Sequence, residues 1–179
     1  AIVAPSISSQ FTYAKMPQVT SGIKELGFYS VIEAALGADM VALSEARELV
    51  EKGFLTSSCC PAFVTYVKSQ FPDLAPHISH NLSPMAALAK YIKSSDSNAK
   101  VVFIGPCTAK KMEFKLDHVD GAVDTVITFE ELQALFDAKD IDLKTLDSAT
   151  LYDASEYGRI FARSGGLVEA VKQAIREKG

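Results

Sequence analysis

The residues best suited to chemistry are three cysteines. Cys59 and Cys60 lie side by side in Thr56-Ser57-Ser58-Cys59-Cys60-Pro61-Ala62-Phe63, and Cys107 lies in Gly105-Pro106-Cys107-Thr108-Ala109-Lys110-Lys111. Pro61 begins an amphipathic stretch, and proline is favoured at the first helical position, where its missing N–H costs nothing. Cys60 is therefore expected at the helix N-cap, where the positive end of the helix dipole favours the anionic, metal-binding form of a thiol. Cys107 follows the apolar run Val101-Val102-Phe103-Ile104, and the cysteine pair follows Phe54-Leu55. Two proline-marked turns, each leaving a buried strand, point to one shared site with Cys60 and Cys107 as metal ligands. Taken singly, each would read as an inert buried thiol, a common state of free cysteine. Iron–sulfur clusters are held by thiolates, usually four, and this chain offers half of such a set. Cys59, if not a ligand, either fills space behind the turn or passes a proton, since a thiol is both donor and weak acceptor.

The neighbours of these thiols carry charge. Lys110 lies three residues beyond Cys107 and could hold an anionic ligand at a metal centre, with Glu113 as its acceptor. On spacing alone a solvated lysine and an exposed glutamate are the default. Glu45 and Glu48 share a helix face at i, i+3 and could pass protons inward, with Ser79 extending the path. A run such as Ser44-Glu45-Ala46-Arg47-Glu48 more often faces solvent, and a turn serine is more often only that. His77, His80 and His118 show no regular ligand spacing and are assigned no role. Ser164-Gly165-Gly166 before a helix is a weak anion-binding signal, more simply explained as a loop-to-helix turn.

The elements that must position these groups alternate in type. Ala1-Ile2-Val3-Ala4 reads as a short buried strand ending at Pro5, Phe28 to Ala34 as a second, Lys100 to Ile104 as a third and Ala122 to Ile127 as a fourth. Phe54-Leu55 reads as a further short strand. Residues 6–13 are ambiguous. Helical spacing runs from Val19 to Leu26, stopped by Gly27, and from Gly37 to Lys52, stopped by Gly53. Helices are also expected from Pro61 to Phe71 and, behind the Ser83-Pro84 cap, through Ile92. Thr128 and Glu131 form a capping box for a helix from Phe129 to Ala138. Residues 94–98 and 139–163 read as irregular, and Leu167 to Glu177 as a last helix. This alternation predicts an α/β fold, with a mostly parallel sheet flanked by helices, in a single domain over residues 1–179. Sites in such sheets gather at the carboxyl ends of strands, where Ala4-Pro5-Ser6, Cys59-Cys60 and Cys107 are all expected.

Bulk properties narrow the classes. With 179 residues, 48% of them apolar, the chain can build a core and is neither disordered nor fibrous. The net charge is −4, with no basic stripe, which argues against nucleic acid. No apolar run approaches the ~20 residues that span a bilayer, so no membrane partner is expected. Three cysteines cannot all pair, and a disulfide framework is not expected; a reducing cytoplasm is. The chain starts inside an apolar segment without Met and stops on a helical pattern, so it is expected to be a piece of a longer protein.

The two cysteine motifs resemble, in order, the first and second signatures of the iron-only (diiron) hydrogenases. The likeness extends over nearly the whole chain: Ala4-Pro5-Ser6, Gly37-Ala38-Asp39, Glu45 and Glu48, Ser79, Ser83-Pro84, Ile160-Phe161-Ala162 and Gly165-Gly166-Leu167-Val168-Glu169-Ala170. The resemblance implies an H-cluster, a four-iron four-sulfur cubane joined to a diiron centre, and reversible reduction of protons to hydrogen. It implies that Cys60 and Cys107 are cubane ligands, that Cys59 passes protons to the diiron centre, and that Glu45, Glu48 and Ser79 carry them from the surface. Lys110 would hydrogen-bond a cyanide, and Ala4, Pro5, Ser6 and Pro106 would line the diiron pocket. A ferredoxin-like donor or domain and the rest of the hydrogenase chain are the implied partners. The third signature, which supplies the other two cubane cysteines, does not occur here, so the fragment alone is expected to be inactive and without cluster. Ala62-Phe63 and Gly105 depart from the best-known hydrogen producers and lean toward the sensory branch of the family. A hydrogen-sensing domain and a hydrogenase-like iron–sulfur assembly protein are the alternative readings.

Overall fold

A computed structural model describes residues 1–147, 149, 151 and 153–178. In chain order the elements are β1 (Ile2–Val3), α1 (Ile7–Gln10), α2 (Met16–Glu25), β2 (Ile32–Glu33), α3 (Ala34–Lys52), α4 (Pro61–Gln70), α5 (Pro84–Ser95), β3 (Val102–Ile104), α6 (Lys110–Glu113), β4 (Thr125–Ile127), α7 (Phe129–Ala138), α8 (Glu156–Arg159) and α9 (Gly166–Lys178), with 3-10 turns at Pro72–His77, Leu143–Thr145 and Ile160–Ala162. The sheet is parallel throughout and ordered β2-β1-β3-β4. This is the α/β fold with helices flanking a parallel sheet that the alternation predicts.

Burial of both faces explains the short, wholly apolar central strands β1 and β3. Ile2, Val3, Phe103, Ile104 and Val126 join Val19, Ile23, Met85, Leu88, Phe129, Leu132 and Phe136 in one core. Phe11 stacks edge-on against both Phe129 and Phe136. Local signals set the helix ends. Thr128 and Glu131 close the capping box of α7, Ser83 accepts from the Ala86 N–H at the start of α5, and Gly53 ends α3 in the left-handed conformation.

α3 is the hub on which the site depends. It packs against α5, α8 and α9. Its buried stripe is built of small residues: Ala34, Ala35, Gly37, Ala38, Val41, Ala42 and Ala46. A Cβ on Gly37 would lie 2.1 Å from the Pro84 carbonyl oxygen, so only glycine allows this crossing. Ala42 and Ala46 meet Ala170, Val171 and Ala174 of α9 in a second, smaller cluster.

Four expectations are corrected. Phe54-Leu55 is not a strand: Phe54 is half exposed, and the segment takes no place in the sheet. Only Thr56 pairs, through an isolated parallel bridge to Ile78. The strand expected over Phe28 to Ala34 shrinks to Ile32–Glu33, because Ala34 already starts α3. α3 thus begins three residues before Gly37. Residues 139–163 are less irregular than composition suggests, holding two 3-10 turns and α8, which Ser155 caps; positions 148, 150 and 152 of that stretch lie outside the described residues.

Candidate functional site

One cavity of about 470 Å³ collects the sequence candidates: Cys59, Cys60, Cys107 and Lys110 line it, with Ala4, Pro5, Ser6 and Pro106. Ala4-Pro5-Ser6 leaves β1 and Pro106-Cys107 leaves β3, so both sit at carboxyl ends of neighbouring parallel strands. Cys59 and Cys60 reach the same cavity from a strandless turn before α4. Met85 and Pro84 of α5, Ala34 and Ala38 of α3, and Phe161 and Ala162 complete the wall. A neighbouring cavity of about 380 Å³ shares Ala4 and Pro5. Its charged groups, Glu33 and Arg159, are committed to each other in a bidentate pair.

Cys60 is the N-cap of α4, as expected, and its Sγ accepts from the Phe63 N–H at 3.4 Å. Ser57 Oγ accepts from the Cys59 N–H at 3.2 Å, tightening the turn. Lys110 turns inward: its Nζ donates to the Cys59 carbonyl at 3.1 Å and to Glu113 Oε2 at 2.5 Å. Glu113 is buried, so the exposed default fails for both partners. Lys111 faces the other way and pairs with Glu131. Burial pushes the Cys59 thiol up; the Glu45 and Cys60 charges add to this, while the Ser57 hydrogen bond and the Lys110 charge oppose it. The thiol therefore holds its proton at neutral pH.

Behind Cys59 lies a chain of polar groups. Glu45 is only 2% exposed, so it is no solvated helix residue. It continues the α3 stripe of Ala38, Val41, Ala42 and Ala46 at helical spacing, a signal visible in the sequence. Ser57 Oγ donates to Glu45 Oε1 at 2.7 Å. Burial raises the Glu45 pKa above its ordinary value, and the nearby Glu48 charge adds to it; Ser57, the Ser58 backbone and the Ser79 hydroxyl pull it down. Ser79, itself buried, donates to Glu48 Oε2 at 2.8 Å. For Glu48, burial acts upward but is outweighed by bonds from Lys52, Ser79 and the His80 N–H, so its pKa falls below the ordinary value. Lys52 Nζ, 2.7 Å from Glu48 Oε1, and the exposed His80 ring mark the surface end. The Ser57–Glu45 and Ser79–Glu48 bonds fall within the 2.6–3.2 Å reach required for proton transfer.

Sequence reasoning passed over Ser57, Ser58 and Asn81. Asn81 Nδ2 donates to Glu48 Oε2 and to Ser79 Oγ, both at 2.9 Å, and Ser58 Oγ donates to the Asn81 carbonyl. Three consecutive hydroxyl residues before a cysteine pair were the available sign; nothing marked Asn81. His77 and His118 do not line the cavity. Among the described residues, no group of three or more His, Cys, Asp or Glu is arranged to hold a metal ion, and no helix is long and apolar enough to cross a membrane. The donor set is thus three thiols lining one cavity, plus an amine with two of its three N–H donors engaged.

The family described as "Iron only hydrogenase large subunit, C-terminal domain" matches residues 1–179. Iron hydrogenase 1 of Clostridium pasteurianum is 32% identical over 182 residues, covering 89% of this chain and 32% of that protein. The cytosolic Fe-S cluster assembly factor NAR1 of Kluyveromyces lactis is 34% identical over 105 residues, covering 59% of this chain and 22% of that protein. A solved variant of FeFe-hydrogenase HydA1 from Chlamydomonas reinhardtii superimposes with a TM-score of 0.79 at 27% identity, over 98% of this chain and 52% of that one. The chain thus spans about a third of the first relative and about half of the solved one.

Proposed function

The chain belongs to the family of C-terminal domains found in iron-only hydrogenase large subunits, and from that premise we propose that it is part of a catalytic domain interconverting protons and hydrogen at an H-cluster. The observation that carries this reading is the convergence of Cys59, Cys60, Cys107 and Lys110 on one cavity, with two hydrogen-bonded carboxylate–hydroxyl pairs, Ser57–Glu45 and Ser79–Glu48, beside the cysteine turn. The donor chemistry fits half of a cubane site: thiolates are the ligands of iron–sulfur clusters, and Cys60 and Cys107 line one cavity. Cys60 and Cys107 would hold the cubane, with two further thiolates coming from outside this chain. When bound, the cofactor supplies the electrons and the metal-centred hydrogen chemistry. The third N–H of Lys110 is free to meet an anionic ligand, while Ala4, Pro5, Ser6 and Pro106 shape the wall and exclude water. Cys59 holds a proton at the cavity; Glu45, Ser79 and Glu48 exchange it with solvent beside Lys52. A ferredoxin-like protein or domain would deliver electrons, and the three free thiols fit a reducing compartment.

The NAR1 match favours a second reading, an iron–sulfur assembly factor. Activity and spectroscopy separate the two. Within its full-length chain, matured anaerobically and given a reduced donor, the protein should evolve hydrogen. Cys60→Ser and Cys107→Ser should each remove the cubane's paramagnetic signal. Cys59→Ala should keep the iron and lose about 10²–10⁴-fold in hydrogen evolution, the usual worth of a positioned proton donor. Iron-loaded protein without hydrogen turnover would leave the assembly reading standing.

A further inference from the structure

The Ser79 hydroxyl has a full set of partners, and their identity sets a direction. A hydroxyl carries one hydrogen and two acceptor lone pairs. Ser79 Oγ accepts from the Asn81 backbone N–H at 3.1 Å and from Asn81 Nδ2 at 2.9 Å. Its hydrogen goes to Glu48 Oε2 at 2.8 Å. The orientation of the Asn81 carboxamide is fixed chemically: the same group lies 2.9 Å from Glu48 Oε2, where an amide oxygen would meet a carboxylate. Ser79 also lies close enough to the Glu45 carboxyl to pull its pKa down. It has no lone pair left to accept a proton from it.

We propose that Asn81 gates the path between Glu45 and Glu48. A transfer through Ser79 requires the hydroxyl to accept the Glu45 proton as it gives its own hydrogen to Glu48. Glu45 then becomes a carboxylate, Glu48 a neutral acid, and the hydroxyl is restored in the opposite orientation. With the carboxamide bonded to Ser79 that step is closed. When the carboxamide swings off Ser79, one lone pair opens and the step proceeds. The gate is tied to the cysteine turn, because the Asn81 carbonyl accepts from Ser58 Oγ, next to Cys59 in sequence. Asn81 is a positioning residue, acting through Ser79.

This inference rests on the reading of Glu45, Ser79 and Glu48 as a proton path, and one measurement tests both without any cofactor. The carboxylic acid band of Glu45, identified by its loss in Glu45→Gln, is followed by stopped-flow infrared spectroscopy after mixing into D2O below the Glu45 pKa. Asn81→Ala should exchange about tenfold faster than the native chain, the order of factor that one neutral hydrogen bond is worth. Asn81→Leu, which fills the space without side-chain donors, should do the same and stands in if the alanine variant misfolds. Ser79→Ala should exchange more slowly. A residue that merely braces Ser79 would slow exchange when removed, so unchanged or slower exchange in both Asn81 variants overturns the gate. If Ser79→Ala and Glu48→Gln leave exchange unchanged, the proton path itself falls, and the gate with it.

Discussion

The two arms that bring cysteines to the cavity are built on different physics. Cys107 arrives just beyond β3, a strand paired on both sides that carries the buried Phe103 and Ile104. Its place follows from apolar burial and main-chain hydrogen bonds. Cys59 and Cys60 arrive on a strandless turn between exposed Phe54 and a helix, α4, whose one fully buried residue is Val67. That turn is held by Thr56 bonding His77 and Ser79 through the backbone, and by the side chains of Glu45, Ser57 and Ser58, the last donating to the Asn81 carbonyl. Glu45, whose carboxyl holds the second arm through Ser57, is also proposed to move protons. Strength cannot be added there without changing proton chemistry, whereas the sheet arm can be tuned freely.

The largest expected effect probes this contrast directly. Phe136, fully buried and stacked on Phe11, anchors the sheet arm. Phe136→Ala should cost about 3–5 kcal/mol of stability. Ser79→Ala, which leaves Glu48 and Asn81 each short of a partner, should cost about 1–3 kcal/mol. Urea unfolding measures both; equal losses would mean that the turn is as much a part of the core as the sheet.

A second, intermediate effect concerns a tie between the arms. Lys110 follows Cys107 in sequence, yet its amine holds the Cys59 carbonyl, and Glu113 anchors the amine. Removing one member of a buried ion pair leaves the other uncompensated, typically at about 3–5 kcal/mol. Because the Lys110 amine faces an open cavity, Glu113→Ala should cost less, about 2 kcal/mol. Hydrogen exchange should rise at Cys59 and Cys60 and stay unchanged in β3. Protection lost equally in both arms would show that they are one cooperative unit.

The same contrast governs how much of the molecule could be read in advance. Local devices were legible: the Thr128–Glu131 capping box, the Ser83 cap, the Cys60 N-cap and the glycine stops at Gly27 and Gly53 depend on residues a few positions apart. β3 and its cysteine were legible because a continuous apolar run between turn residues has few other uses. Phe54-Leu55 misled because two apolar residues make a strand only if a sheet edge waits for them. Glu45 was half legible, since its spacing put it on the apolar stripe of α3 while its charge argued for solvent. Asn81 was not legible at all: its bond to Glu48 joins residues far apart in sequence, and asparagine in a loop has many ordinary explanations. The sheet arm is encoded by pattern, the turn by tertiary contact.

The smallest expected effect is a difference in sign between the arms under acid. Asp124 precedes β4 and belongs to the sheet arm. Burial acts to raise its pKa, but bonds from the Val101 N–H, Lys93 and Lys100 bring it down to about 2. A depressed carboxylate stabilises the fold above its unfolded pKa and loses that contribution as pH falls through the folded value. Asp124→Asn should therefore be less stable than the native chain at neutral pH, and the gap should close between pH about 4 and pH about 2. The full shift corresponds to about 2.5 kcal/mol, which screening of a partly exposed carboxylate reduces to about 1 kcal/mol. Glu45 runs the other way. Its pKa is raised by burial, so the fold favours the protonated form. That advantage is complete below the unfolded value of 4.5 and lost as pH rises through the folded one. Glu45→Gln keeps an acceptor for Ser57 but never ionises, so its stability should gain on the native chain as pH rises. Urea midpoints of the two variants against pH should thus depart from the native curve in opposite directions as pH rises, Asp124→Asn below it and Glu45→Gln above it. Curves that move together would mean that the turn carries its carboxylate as comfortably as the sheet does, and that the buried Glu45 proton is not held in reserve for transfer.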